Sequence, residues 1–188
     1  MRTNLPVTSN EVQLSDTTLI VSKTDLKGRI TYVNKDFLDI SGFTEAELIG
    51  EPHNIVRHPD MPVEAFQDLW DDLKAGRPWV GYVKNRCKNG ADYWVEAHAA
   101  PVWENGQITG YMSVRRKPAR DKVEAADGAY RLFRENRAKG IRVQHGWRHP
   151  PKGQISSRSG TNPQEIVHRA PRRISAKYEL IPGYYMHR

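Results

Sequence analysis

The chain has 188 residues, of which 38% are hydrophobic, and 29 Lys and Arg against 22 Asp and Glu give it a net charge of +7. This composition is too polar for a membrane protein and too apolar for a fully disordered one. The single cysteine, Cys87, excludes an internal disulfide and a cysteine-based zinc or iron–sulfur site. No apolar run approaches the roughly 18 residues that cross a bilayer, and residues 1–10 lack the apolar core of a signal peptide. We therefore expect a soluble, cytoplasmic protein.

The basic charge is confined to the last third of the chain. Residues 1–120 contain 15 Lys and Arg against 16 Asp and Glu, whereas residues 121–188 contain 14 against 6. Proline, glycine and serine concentrate between His149 and Arg173, where little apolar surface could be buried. We expect a disordered basic tail over residues 148–188 and a cap or flexible segment over residues 1–16. The tail lacks regular interleaving of aromatic residues and any recognised binding module, so no nucleic-acid partner is predicted.

Two short strands begin the predicted fold. The stretch Thr18–Thr24 is rich in β-branched and apolar residues, Asp25–Gly28 has the sequence of a turn, and Arg29–Val33 alternates again. This pattern predicts an antiparallel pair.

Short helices follow the two strands. Asn34 can cap a helix that Gly42 ends, and residues 44–47 form a capping box at the start of a second helix. A polar segment with several prolines covers residues 53–62. The helical spacing of apolar residues then predicts a longer helix over Val63–Ala75.

After residue 78 the apolar residues change to a period of two, which predicts three more strands. Residues 79–88, 91–102 and 107–115 alternate, and Asn89-Gly90 and Asn105-Gly106 separate them. Asn-Gly between alternating runs is a strong hairpin signal. We predict an α+β fold, with a sheet of about five antiparallel strands and short helices on one side.

An amphipathic helix is predicted over Asp121–Lys139, because Val123, Ala126, Tyr130 and Phe133 recur at helical spacing. This apolar stripe must pack on the sheet or on a second copy of itself. We favour a helix that carries a signal or forms a dimer.

Several local sequences resemble the PAS fold, in particular residues 25–34, 41–44, 47–50 and 78–90. More narrowly, PHNIVRHPDMP at 52–62, WVGYVKNR at 79–86 and GYMSVR at 110–115 are similar to the N-terminal sensor domain of bacterial aerotaxis receptors. The resemblance extends from about residue 17 to about residue 147. It implies a PAS sensor domain over residues 17–118 and a linker helix within residues 119–147.

The resemblance implies FAD as a non-covalent cofactor whose redox state reports oxygen and electron transport. In that family, flavin binding depends on an Arg-His-Pro-Asp segment and on a tryptophan after the central helix. The matching residues in this chain are Arg57, His58, Asp60 and Trp79. The complete set of residues that we expect at the cofactor is Asn34, His53, Arg57, His58, Asp60, Trp79 and Asn85.

The chemistry of these side chains suits such a ligand. Arg57 can neutralise a diphosphate, His58 can stack on adenine or bind the ribose, and Asp60 can accept from a sugar hydroxyl. Asn34 and Asn85 offer donors and acceptors for the flavin pyrimidine edge. The chain has no Gly-x-Gly-x-x-Gly sequence, so a Rossmann-type site is not expected.

The same resemblance implies signalling partners, and the residues themselves give no catalytic motif, so we expect no enzymatic activity. We expect a homodimer through the PAS domain or its linker helix, and a chemotaxis signalling module as the recipient. The carboxylates that occur close together fall on predicted exposed helix faces, which is not typical of an acid–base pair. An apolar membrane span does not follow the linker in this chain.

Three alternatives remain open at this point. The first is a ligand-free PAS module that only mediates interaction. A haem PAS sensor is the second, with His53, His58 and His98 as candidate ligands, although the predicted central helix contains no histidine. The third is a blue-light sensor of the LOV type, which needs a cysteine near the position that His53 occupies. Trp70, from its spacing alone, is more typical of a core residue than of a ligand contact.

Overall fold

A five-stranded antiparallel sheet forms the centre of the protein. The structure, a computed structural model, describes residues 3–139 and the backbone of two further strands at 142–144 and 147–149. The sheet has the order β2-β1-β5-β4-β3. Its strands are β1 (Ile20–Thr24), β2 (Ile30–Val33), β3 (Trp79–Arg86), β4 (Asp92–Glu104) and β5 (Gln107–Arg116). The predicted α+β class and the antiparallel pairing are therefore confirmed.

Short helices cover one face of the sheet, which we call the inner face. They are α1 (Lys35–Ser41), α2 (Glu45–Leu48), a 3₁₀ turn (His53–Val56) and α3 (Val63–Lys74). The Asn34 side chain accepts from the backbone N–H of Phe37 at the start of α1, and Gly42 ends it with φ +71°. The capping box of Thr44 and Glu47 is present in α2. These local signals are the ones that the sequence displays.

The hydrophobic core lies between these helices and the inner face. Its fully buried side chains include Phe37, Leu48, Met61, Trp79 and Tyr93. Burial of such side chains supplies most of the stabilisation of a domain of this size. The helices and the sheet therefore form one packed unit around this core.

Helix α4 (Arg120–Arg134) packs on the opposite, outer face of the sheet. Tyr130 stacks on Trp94 with 6.4 Å between ring centroids, and its hydroxyl donates to the carbonyl of Tyr82 at 2.9 Å. The apolar stripe of the predicted helix thus contacts the sheet. The helix ends at Arg134 rather than Lys139, because Asn136 adopts the left-handed conformation (φ +53°) that breaks a helix.

The N-terminal residues pack against the domain at the end of β3. The buried Asn4 side chain donates to the carbonyls of Asn54 and Arg57, and the Arg86 guanidinium donates to the carbonyls of Leu5 and Pro6. The segment therefore acts as a cap on the domain.

The last part of the chain is described only in part. Strands β6 (Arg142–Gln144) and β7 (Trp147–His149) form a small antiparallel pair. The predicted tail falls, from residue 150 onward, outside the described residues. None of the helices in the described part is both long enough and apolar enough to cross a membrane.

Candidate functional site

A cavity of about 290 Å³ lies between α3 and the inner face of the sheet. Its apolar walls come from α3 and from the strands: Phe66, Leu69, Trp70, Leu73, Val83, Ala97, Ala99 and Tyr111. Its polar groups come from β1, the 3₁₀ turn and strands β3 and β5: Ser22, Thr24, His53, Asn54, Asn85, Ser113 and Arg115. An apolar cavity with a few convergent polar groups is the usual form of a small-molecule site.

The charge of this cavity has one sign. Lys27, Arg57 and Arg115 line it, and no Asp or Glu is among the described residues of its wall. Because a buried cation is costly without a counter-charge, such a lining favours a ligand that carries or acquires negative charge.

Arg115 is the most unusual side chain of the site. It is 5% exposed, and its Nη2 donates to Ser22 Oγ at 3.0 Å and to His53 Nε2 at 2.8 Å. Its guanidinium also lies 5.6 Å from the ring centre of Phe37. Within the described part of the chain, its Nη1 has no hydrogen-bond partner. Burial lowers the pKa of Arg115 to about 10, so it stays charged at neutral pH.

His53 is held as a neutral hydrogen-bond acceptor. Burial, and then the charge of Arg115, lower its pKa to about 3. Because Arg115 donates to Nε2, we assign the single ring proton of His53 to Nδ1. The Nε2 lone pair that would bind a haem iron is therefore already used, which disfavours His53 as a haem ligand.

Asn85 lines the same cavity as a further donor. It is 4% exposed on β3, and its Nδ2 finds no partner among the residues that the structure describes. Thr24 Oγ1 and Asn54 Oδ1 are also buried without a hydrogen-bond partner among these residues. Buried polar atoms are normally hydrogen-bonded, so this concentration around one cavity points to a polar ligand.

Arg57 reaches the cavity from the loop that follows the 3₁₀ turn. Its guanidinium lies 5.5 Å from the ring centre of Phe66, and its Nη2 donates to the carbonyl of Met61. Burial lowers its pKa from the usual value, although an arginine stays charged. Of the seven predicted residues, Arg57, His53 and Asn85 line the cavity.

His58 and Asp60 lie on the other side of this loop, away from the cavity. The Nδ1 of His58 accepts from the backbone N–H of Asp60 at 3.1 Å, and Lys84 Nζ donates to the Asp60 carboxylate at 3.1 Å. Burial and the charge of Lys84 lower the pKa of His58 to about 4. Burial alone would raise the pKa of Asp60, but the hydrogen bond from Lys84 and the neighbouring positive charges outweigh it. These two residues hold the loop that presents Arg57.

Asn34 and Trp79 have structural roles outside the cavity wall. The Asn34 carboxamide accepts from Val21 N–H and donates to the Leu19 carbonyl, besides capping α1. Trp79 is 1% exposed and its Nε1 donates to the Asp68 carboxylate at 2.7 Å. Their predicted contacts with a cofactor therefore stay predictions.

Sequence reasoning missed Arg115 and gave Trp70 little weight. Trp70 lines the cavity and packs edge-on against Tyr111, with 5.4 Å between ring centroids. A Cβ on Gly28 would lie 3.0 Å from the Trp70 ring, so the two form a tight wall. Arg115 lies in an alternating strand whose inward positions are otherwise uncharged. An inward-facing arginine in such a strand is the signal that could have identified it.

Cys87 lies outside this site. Its Sγ donates to the Ile40 carbonyl at 3.1 Å, and burial raises its pKa to about 11. A LOV-type adduct needs a reactive cysteine at the flavin, and the thiol of this chain does not line the cavity.

Comparison with known proteins identifies the fold family. Residues 30–115 match the family model described as the PAS fold. These residues have the PAS fold. The structure of the chain is similar to the PAS domain of a protein from Colwellia psychrerythraea, with a TM-score of 0.50 and 24% identity over 54% of this chain and 87% of that chain. The LOV protein of Rhodobacter sphaeroides has a TM-score of 0.50 and 17% identity over 66% of this chain and 76% of that chain.

Curated relatives of this PAS domain are signalling proteins. The chain is 46% identical over 146 residues to the aerotaxis receptor of Escherichia coli (strain K12), which covers 75% of this chain and 29% of the receptor. It is 29% identical over 97 residues to the nitrogen fixation regulatory protein of Klebsiella pneumoniae, over 51% of this chain and 20% of that protein. The chain thus spans less than a third of either relative. The resemblance to aerotaxis receptors is confirmed.

The two buried histidines predict a specific pH dependence of stability. The pKa values of His53 and His58, about 3 and 4, lie below the usual 6.5, so below pH 6.5 the unfolded chain binds protons that the folded chain excludes. We expect the free energy of unfolding to fall between pH 6.5 and about pH 4.5, by up to about 1.4 kcal/mol per pH unit for each histidine.

Urea unfolding across this pH range checks the effect. His58→Asn, whose amide oxygen can still accept from the Asp60 N–H, should reduce the slope. His98→Asn is the control, because His98 is exposed and pairs with Glu96 on the outer face. An unchanged slope in His58→Asn contradicts the prediction.

Proposed function

We propose that this PAS domain binds a flavin, specifically FAD, and works as a redox sensor in signal transduction. The observation that carries the proposal is Arg115, a buried cation with an unpartnered N–H among the described residues, in a cavity wall without carboxylates. A flavin takes up electrons reversibly, and the negative charge that this adds to its ring would be balanced by Arg115.

The residues of the cavity fit this group. Val83, Ala97 and Leu69 provide apolar surfaces for a planar ring, while Asn85 and Arg115 provide donors for its oxygen and nitrogen edge. Lys27 and Arg57 add positive charge suited to phosphates. The resemblance to aerotaxis receptors supports FAD in particular.

The loop of residues 57–61 connects the cavity to α4. Arg57 lines the cavity and donates to the Met61 carbonyl, while on the outer side Arg134 Nη1 donates to the Asp60 carbonyl at 2.9 Å. Lys84 contacts the same loop at two points. Its backbone N–H donates to Met61 Sδ at 3.3 Å, and its Nζ donates to the Asp60 carboxylate. A change of charge or hydrogen bonding at Arg57 would thereby reach α4 through a short, well-packed loop.

This connection gives His58 and Asp60 a role without direct ligand contact. Both fix the loop from behind, so their replacement would weaken cofactor binding by displacing Arg57. Beyond α4 we propose the chemotaxis signalling module as recipient, with dimerisation through the PAS domain or its linker helix and a cytoplasmic location. Residues 17–118 would be the sensor and residues 119–147 the linker.

Hydrogen–deuterium exchange of the full, flavin-loaded chain in the oxidised and reduced forms tests the sensor function. We expect reduction to change exchange in the 57–61 loop and in α4. Arg134→Gln should remove the response of α4 while the loop still responds. The control, Arg131→Gln, changes an exposed arginine of the same helix turn and should behave like the wild type.

Two outcomes oppose this account. If exchange in the loaded wild type is independent of redox state, the domain is no redox sensor. If the response of α4 survives Arg134→Gln, the signal takes another route.

A further inference from the structure

Tyr93 is a buried phenol that no sequence motif singles out. It lies on β4 with 0% exposure, and its hydroxyl makes no hydrogen bond of ordinary length and angle within the described residues. Burial raises its pKa, so the hydroxyl keeps its proton at neutral pH. A buried O–H group of this kind normally finds an acceptor.

The neighbour that can supply this acceptor is Asn85. The two residues are direct partners in the antiparallel pairing of β3 and β4, so both side chains project to the inner face. Against this burial, the charge of Arg115 and a hydrogen-bonding contact with the Asn85 side chain lower the pKa of the phenol, which places the Asn85 amide at the Tyr93 hydroxyl. Asn85 also lines the cavity, whereas Tyr93 lies behind it.

As placed, the Asn85 amide nitrogen faces the Tyr93 oxygen, but neither atom makes a hydrogen bond of ordinary length and angle among the residues described. Rotation of the Asn85 carboxamide by half a turn exchanges its oxygen and nitrogen. The amide oxygen can then accept from the Tyr93 hydroxyl, and the amide N–H groups turn away from Tyr93. One rotation therefore provides a partner for the phenol and frees a donor for the cavity.

We propose that Tyr93 is a positioning residue that fixes the orientation of the Asn85 carboxamide, with its oxygen on the Tyr93 hydroxyl and its N–H groups toward the cavity. The inference rests on the proposed function for the identity of the ligand. Asn85 then presents only donors to the cavity, as Arg115 does from β5. The ligand edge bound there must carry acceptors, as the carbonyl and imine atoms of a flavin do.

Tyr93→Phe tests this role, because it removes the hydroxyl and keeps the ring. Loss of one neutral hydrogen bond predicts FAD affinity weaker by about fivefold, with a shifted visible absorption band of the bound flavin. Tyr82→Phe is the control, since Tyr82 lies on the outer face of the neighbouring strand. In an Asn85→Ala background, Tyr93→Phe should have no further effect on either quantity.

A second measurement is independent of any flavin. In the ¹⁵N-labelled full chain without cofactor, the side-chain amide resonances of Asn85 should shift in Tyr93→Phe and stay in place in Tyr82→Phe. Unchanged resonances, or a Tyr93→Phe effect on flavin that is equally large without the Asn85 carboxamide, would overturn the proposal. A wild-type chain that binds no flavin would instead refute the proposed function, and the resonances would still decide the role of Tyr93.

Discussion

Arg115→Met should weaken flavin binding by about 10- to 100-fold and leave the ligand-free protein as stable as the wild type, or more stable by ~1–2 kcal/mol. Ligand binding weakens while stability does not, because Arg115 is buried and no carboxylate is among the described residues of the cavity wall. Replacing a buried ion with an apolar side chain of similar size is often neutral or stabilising. His53 Nε2 can keep a partner, since Ser22 Oγ lies 3.1 Å away.

Titration of the ligand-free protein with FAD, together with urea unfolding, measures both effects. Arg116→Met is the matched control, because Arg116 is exposed and pairs with Glu96 on the outer face. This control should leave the affinity unchanged. If Arg115→Met binds FAD as well as the wild type, Arg115 has no part in ligand binding and the charge argument is wrong.

Trp79→Ala should lower the free energy of unfolding by about 3–5 kcal/mol, which is a large part of the 5–15 kcal/mol typical of a domain. The ring is 1% exposed in the core and lies so close to Gly81 that a Cβ there would be 2.3 Å from it. Flavin would be lost from this variant because the domain unfolds. Trp79→Phe keeps an aromatic ring in the core, so the folded variant should retain flavin within about twofold of wild-type affinity.

Thermal or urea unfolding of both variants, with flavin content measured on the folded fraction, separates the two roles of this tryptophan. Trp103→Ala provides a control, because that side chain is 56% exposed and its removal should lower the free energy of unfolding only slightly. A Trp79→Phe protein that folds normally but binds no flavin would show that the indole contacts the ligand directly.

The fold could be predicted from local signals in the sequence. Asn34, Gly42 and the capping box at Thr44 fix the ends of short helices through bonds within a few residues. The Asn-Gly turns and the period of two fix the three-strand meander. Strand ends differ by one or two residues, because fraying at an edge is decided by neighbours distant in sequence. The outer position of α4 depends on Trp94 and Tyr82, which local spacing cannot reveal.

The candidate site could be predicted only in part. The resemblance to known sensors predicts Arg57 and Asn85, and the structure brings both of them to one cavity together with the predicted His53. The Asn34 side chain is hydrogen-bonded to the backbone of Leu19 and Val21 instead of lining the cavity. Its helix-cap pattern is consistent with this structural role. Arg115 needs the assembled sheet, because only pairing of β5 with β1 and β4 brings it to Ser22 and His53.

The absorption spectrum of the purified full chain, followed by denaturation and identification of the released molecule, tests the central claim most directly. The account predicts the visible bands of an oxidised flavin, their loss on chemical reduction, and FAD in the supernatant. A Soret band would contradict it and show that a histidine binds haem. A colourless protein that fails to take up added FAD would also contradict it, and would leave a PAS interaction module as the explanation of this fold.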